Sequence, residues 1–161
     1  MKKEYLLVLP IERFELGGTY PAGELLPLHC TVMHWFEFRI HIHYKNFVNF
    51  LNRLSATEFK GIQLISESPA LFGPMNDVPV HTLKRTEPLV LLHNRMFFIL
   101  SKMNALPEEL YWMGAGWNPH VTDTENSFLP GSVYEPRHLM LIERINGQDK
   151  IVRARWNLEL E

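Results

Sequence analysis

The stretch Leu28-His29-Cys30-Thr31-Val32-Met33-His34-Trp35-Phe36-Glu37-Phe38 decides how this chain folds. Its density of aromatic and β-branched residues predicts a strand. Side chains alternate along a strand, so His29 and Thr31 point to one side of it. The same His-x-Thr pattern recurs at His120-Val121-Thr122, at the end of a second apolar segment running from Trp117 to Thr122. Each tripeptide sets one proton-transfer group beside one hydroxyl donor on rigid backbone. If the two strands are neighbours, two imidazoles face each other across a cleft. That arrangement suits acid–base attack on a phosphodiester and requires no metal. With eight His and seven Thr in the chain, chance alone supplies about 0.35 such tripeptides, so one copy means little and two on separate apolar strands mean more.

Working outward, the 161 residues suffice for one domain, 1–161, with a substantial core. The net charge of −2 and pI near 6.4 argue against avid, sequence-blind binding to long nucleic acid, which needs a broad basic surface. A nucleotide or a short RNA or oligonucleotide end remains compatible with that charge. Cys30 is the single cysteine, which excludes an intramolecular disulfide and fits a reducing compartment. Placed between His29 and Thr31, it reads as a small apolar core residue rather than a nucleophile. The apolar run before Pro10 is too short for a signal peptide or a membrane span, and Glu4 suits neither, so the cytoplasm is expected.

Tyr5 to Leu9 reads as a buried strand, and Glu12 to Pro27 as a loop with turns at Gly17-Gly18 and Pro21-Ala22-Gly23. Phe47, Phe50, Leu51 and Leu54 have the spacing of an amphipathic helix over Lys45 to Leu54. Strands are expected at Phe59 to Ile65 and Val78 to Leu83, with a loop from Pro69 to Pro79 between them. A second helix starts at Thr86, a residue able to act as N-cap, with Pro88 in the first turn and an apolar stripe through Leu92, Met96, Ile99, Leu100 and Met103. The chain closes on a hairpin, Arg137 to Ile145 and Ile151 to Leu160, turned at Asn146-Gly147. The order predicts an α+β domain: a pseudo-duplicated, two-lobed sheet with helices outside and a central cleft carrying the two His-x-Thr strands.

Other residues offer themselves with less context. His34 follows the first tripeptide closely and is a candidate substrate contact. Trp117 can stack on a base or fill the core, and Tyr111 and Trp112 carry the same ambiguity. Lys84 and Arg85 are adjacent and point to opposite sides, so one can reach a phosphate or both are solvated. Arg153 and Arg155, sharing a face of the last strand, either form a small basic patch or balance nearby carboxylates. His34, His41 and His43 invite a metal reading, because His41 and His43 share a face on a strand, but no acidic or thiol ligand completes a set at recognisable spacing. Neither metal nor cofactor is expected. His81, His93 and His138 read as structural.

His29-Cys30-Thr31-Val32 and His120-Val121-Thr122, together with their spacing, the element order, Pro27 and Pro119 just upstream, and the Trp156-Asn157-Leu158 ending, resemble the two-histidine (2H) phosphoesterase superfamily. That group includes the 2′–5′ RNA ligase-like cyclic phosphodiesterases. The resemblance implies that His29 and His120 are the acid–base pair, and that Thr31 and Thr122 donate to the phosphate oxygens. One departure stands out: the family pattern has an apolar residue after the second motif, where this chain has Asp123. Either the strand ends there or Asp123 is exposed.

The expected function is a metal-independent phosphodiesterase acting, as a monomer, on a 2′,3′-cyclic phosphate, a 2′–5′ linkage or a cyclic oligonucleotide. Ligation is not implied. Two other readings stay open: a non-catalytic nucleotide-binding domain on the same fold, and an unrelated α+β interaction module. The presence of both His and both Thr favours the first.

Overall fold

The computed structural model describes residues 1–110 and 113–158, with the side chains of residues 55–57 excepted. Tyr111 and Trp112, and the far end of the expected final strand, lie outside the described residues. Among the described residues, nine strands and two α-helices follow the order β1 (Lys3–Pro10), β2 (Thr19–Tyr20), β3 (His29–Phe36), α1 (His41–Glu58), β4 (Leu64–Phe72), β5 (Val78–Leu83), α2 (Glu87–Lys102), β6 (His120–Thr122), β7 (Val133–Tyr134), β8 (His138–Ile145) and β9 (Lys150–Asn157), with one 3-10 turn at Gly114–Gly116. All strand pairings are antiparallel, in the spatial order β2-β9-β8-β1-β3-β6-β5-β4-β7. The α+β expectation therefore holds.

β1 explains the layering. Its unbroken run Tyr5-Leu6-Leu7-Val8-Leu9 is buried on both faces, because two cores meet there. Tyr5, Leu7 and Leu9 join the main core on the helix side, with Phe47 and Leu51 of α1 and Leu89, Leu92, Met96 and Leu100 of α2. Leu6 and Val8 face the other way, into a smaller cluster with Phe14, Met140, Ile142 and Val152. The 11–28 connection thus folds back over one half of the open face, adding the short strand β2 against β9.

The closing hairpin matches its turn chemistry. Asn146 and Gly147 both take positive φ (52° and 68°), as a two-residue turn between twisted strands requires. Four expectations need correction. β4 runs on through Pro69 to Phe72, where a loop was expected. Proline fits because β4 pairs with β7 only at Leu64 and Ile65, so beyond them one edge is open and lacks no N–H. Phe59 and Ile62, expected on that strand, instead fill the core ahead of it. Helix α1 starts at His41, not Lys45, so His41 and His43 lie on helix, where residues two apart diverge, and the shared face behind the metal reading disappears. Thr86 stands at the N-cap of α2, yet its buried hydroxyl makes no capping bond. No described helix is long and apolar enough to cross a membrane.

Candidate active site

β3 and β6 are neighbours, in register at Cys30 opposite Val121. Both of those side chains are fully buried on the helix side. In an antiparallel pair this register sets His29 across from Thr122 and Thr31 across from His120, all four on the opposite, open face and all four half-buried. The floor of the site is therefore assembled by a single pairing between the two tripeptides. β5 extends it, with Thr82 opposite His120.

Each histidine is held the same way. His29 Nδ1 lies 2.7 Å from the Pro27 carbonyl oxygen, and His120 Nδ1 lies 2.8 Å from the Asn118 carbonyl oxygen. In both cases the carbonyl belongs to the residue two positions upstream. A carbonyl only accepts, so Nδ1 carries the hydrogen and donates it, leaving Nε2 as the unprotonated nitrogen of the neutral ring. Phe14 stands edge-on to His29 at 5.9 Å between ring centroids, and Phe72 stands edge-on to His120 at 4.7 Å.

Burial shifts both rings toward neutrality. His29 is drawn down to about 4, chiefly by desolvation, with charge on His120, His34 and Lys150 acting in the same direction and the Pro27 carbonyl opposing it. His120 is lowered as well, by burial against the opposing Asn118 carbonyl. The effect of His120 on both His29 and His34 marks the three rings as one electrostatic group.

His34 reaches this group through two irregularities in β3. Val8 pairs with Thr31 but Leu7 with Met33, so one extra residue enters and Val32 and Met33 are buried together. The next step, from Leu7–Met33 to Tyr5–Phe36, leaves His34 and Trp35 both opposite Leu6. Bulges re-aim side chains in this manner. His34 and Trp35 line a cleft of about 780 Å³ that also reaches His120, Asn118 and Phe72. Of the four tripeptide side chains only His120 lines that cavity; His29, Thr31 and Thr122 lie outside its walls. Trp35 is capped by the Arg144 guanidinium, 4.0 Å from its ring centroid, and Arg144 is paired with Glu4 at 2.7 Å.

The remaining candidates fall elsewhere. Trp117 edges the cleft but is only 3 % exposed, with its indole stacked at 4.0 Å and 5° on His93. That face is closed to a base. His93 in turn donates from Nδ1 to the Val32 carbonyl and accepts the Gly114 N–H at Nε2, tying α2 to the bulge of β3. Burial first, then Arg85 and His34, bring His93 down to about 4 against the Val32 bond. Lys84 and Arg85 are exposed just past β5 and do not line the cleft. Arg153 and Arg155 do not share a face. A register step on β9 turns Arg153 to Glu143, with contacts of 2.9 and 3.0 Å, whereas Arg155 pairs with Met140 on the open side. Cys30 has its thiol pushed up to about 12 by burial, so it is inert. Among the described residues no group of three His, Cys, Asp or Glu stands ready for a metal ion.

Asp123 resolves its own ambiguity. β6 ends at Thr122, and Asp123 is buried rather than exposed. Its carboxylate accepts the backbone N–H of Ser127 and of Phe128 and the Ser127 hydroxyl, at 2.7–3.0 Å, and lies 3.4 Å from His81 Nε2. It anchors the turn that follows the second tripeptide. Trp35, Phe72 and Arg144 are among the cleft residues that the sequence does not single out: the bulges of β3 bring Trp35 there, the pairing of β8 with β1 brings Arg144, and the run of β4 alongside β5 brings Phe72.

No protein-family model matches the chain, and no curated protein matches it. Among solved structures, the chain resembles the crystal structure of a phosphoesterase, with a TM-score of 0.62 and 13 % identity over 98 % of this chain and 99 % of that one. At that identity the likeness shows a shared fold over the full length.

Proposed function

We propose that this protein is a phosphodiesterase of the two-histidine type, in which His29 and His120 act as the acid–base pair on one phosphodiester and Thr31 and Thr122 donate to its non-bridging oxygens. The observation that carries the reading is the Cys30–Val121 register, which sets two His-x-Thr units side by side with both imidazoles offering Nε2. The phosphoesterase sharing the fold supports it.

One neutral imidazole takes a proton from the attacking water or ribose hydroxyl as the new P–O bond forms. The other, as imidazolium, gives its proton to the departing ribose oxygen. Each transfer contributes about 10²–10⁴-fold. Burial holds both rings toward the neutral form, and the ester oxygen that leaves decides which ring starts as base; we take His29 as the base and His120 as the acid. The hydroxyls of Thr31 and Thr122, fixed on strand backbone, stabilise charge building on the phosphoryl oxygens.

The substrate is an RNA-type or nucleotide phosphodiester: a 2′,3′-cyclic phosphate, a 2′–5′ linkage or a cyclic oligonucleotide. A screen of these three classes in the presence of a chelator tests the proposal. Turnover of one class is expected. Binding without turnover would favour a nucleotide-binding domain, and neither would return the protein to an interaction module.

A further inference from the structure

Beyond His29, the half of the open face formed by β1, β8 and β9 is filled: Leu6, Val8, Met140, Ile142 and Val152 are buried beneath Phe14, with Tyr20, Leu26 and Trp35 packed on them. A substrate body therefore extends from the histidines toward Trp35 and Phe72, into the 780 Å³ cavity.

The charge of that cavity is unlike a track for a polyanion. Among the described residues its permanently cationic side chains are Lys2, Arg39 and Arg144, besides the imidazoles of His34 and His120. Two of these share one carboxylate: Glu4 lies 3.2 Å from Lys2 and 2.7 Å from Arg144. Glu37, Glu108 and Glu109 also line the cavity, leaving four carboxylates against three cations. Proteins that bind nucleic-acid strands do the reverse, setting Lys and Arg along the backbone path. The rest of the wall is apolar or amide: Leu71, Phe72 and Leu106 for contact, Asn76 and Asn104 for hydrogen bonding.

We propose that this cleft selects phosphodiesters with a single negative charge at the histidines and an uncharged body beyond, and that Glu108 and Glu109 reject a second phosphate. The inference rests on the phosphodiesterase reading above. It narrows the substrate to a compact monoanion, and excludes oligonucleotide strands and cyclic oligonucleotides.

The test compares a nucleoside 2′,3′-cyclic phosphate with the same compound carrying an added 5′-phosphate, in wild-type protein and in the E108Q/E109Q double variant. Glu108 and Glu109 are exposed, so repulsion across a solvated cleft predicts that the 5′-phosphate lowers kcat/KM by about three- to tenfold in wild type, mainly through KM. Added salt screens repulsion, so the penalty shrinks as ionic strength rises, and it shrinks again in the double variant. A polyanion site behaves oppositely, with KM climbing steeply as salt is added. Equal or better turnover of the 5′-phosphorylated compound, with that climbing KM, overturns the charge selection while leaving the phosphodiesterase reading intact. Turnover of neither compound, nor of any other phosphodiester, overturns both.

Discussion

Cys30 and Val121 face each other across the centre of the sheet, and their pairing alone brings His29 beside Thr122 and Thr31 beside His120. The two buried side chains hold the register from below, while the four polar ones above them are left half-exposed to a ligand. The chemistry of the site is thus a consequence of strand pairing rather than of any loop.

The hydroxyls are the first place to test it. Thr31→Val and Thr122→Val keep the shape and the β-branching that suit these strands, yet remove the donors. Each is expected to lower kcat by about 10²–10³-fold, the usual loss for one preorganised oxyanion donor, with an unchanged melting temperature. A loss confined to KM would assign these threonines to ground-state binding.

The pH dependence follows from burial of the rings. His29 must be neutral to act as base and gains its proton only near pH 4. His120 must be protonated to act as acid, and its pKa lies below the ordinary imidazole value. The bell for kcat/KM, which reports the free enzyme, is therefore displaced to the acid side of pH 6.5. A bound phosphodiester anion favours the charged imidazole, so the kcat profile lies at higher pH than that for kcat/KM. Rate profiles from pH 4 to 9 measure both, and an optimum above pH 7.5 for kcat/KM contradicts the assignment.

Stability carries the same signature. His93 and His29 are neutral in the folded chain down to about pH 4, whereas an unfolded imidazole takes its proton near 6.5. The unfolded state then binds more protons in that window. The contribution of these rings is complete above about pH 6.5 and is lost as pH falls toward 4, at up to ~1.4 kcal/mol per pH unit for each ring. Denaturation at successive pH values reads this slope, and His93→Gln should reduce it by one ring's share. An unchanged slope in that variant would show that His93 is not the buried neutral group described.

Asp123 supports the second tripeptide from beneath. Burial opposes its charge, but the Ser127 and Phe128 N–H groups, the Ser127 hydroxyl and His81 together hold it below the usual carboxylate range. Asp123→Ala strands these donors and should cost about 3 kcal/mol. Asp123→Asn, which keeps an acceptor oxygen, should cost less. Urea titration of the two variants separates them, and equal small losses would place the turn's stability elsewhere.

Several parts of this structure are legible in the residues alone. The unbroken apolar run of β1, the Asn146-Gly147 turn and the stripe of α2 each encode their element locally. The common face of the two His-x-Thr tripeptides is legible too, because strand alternation fixes which side chains travel together. What stays hidden is non-local. The bulges of β3 come from its pairing with β1, so nothing within Val32-Met33-His34-Trp35 reveals that His34 and Trp35 will both face the cleft. The start of α1 is obscure because Ile40 makes no side-chain cap and the core-facing pattern begins only at Tyr44 and Phe47. Pro69 reads as a loop residue unless one knows that its edge of β4 is open. Trp117 reads either as a stacking platform or as a core residue, since a sequence does not say that His93, on α2, covers its ring.

The central claim is that His29 and His120 act as a unit on one phosphorus. The most direct measurement is kcat/KM for His29→Ala, His120→Ala and the double variant on whichever phosphodiester the wild-type protein turns over best. Groups that act together are strongly non-additive. Each single substitution is expected to remove about 10³-fold or more, with the double variant less than about tenfold below the worse single. Losses that multiply in the double variant, or full activity in either single one, would contradict the account.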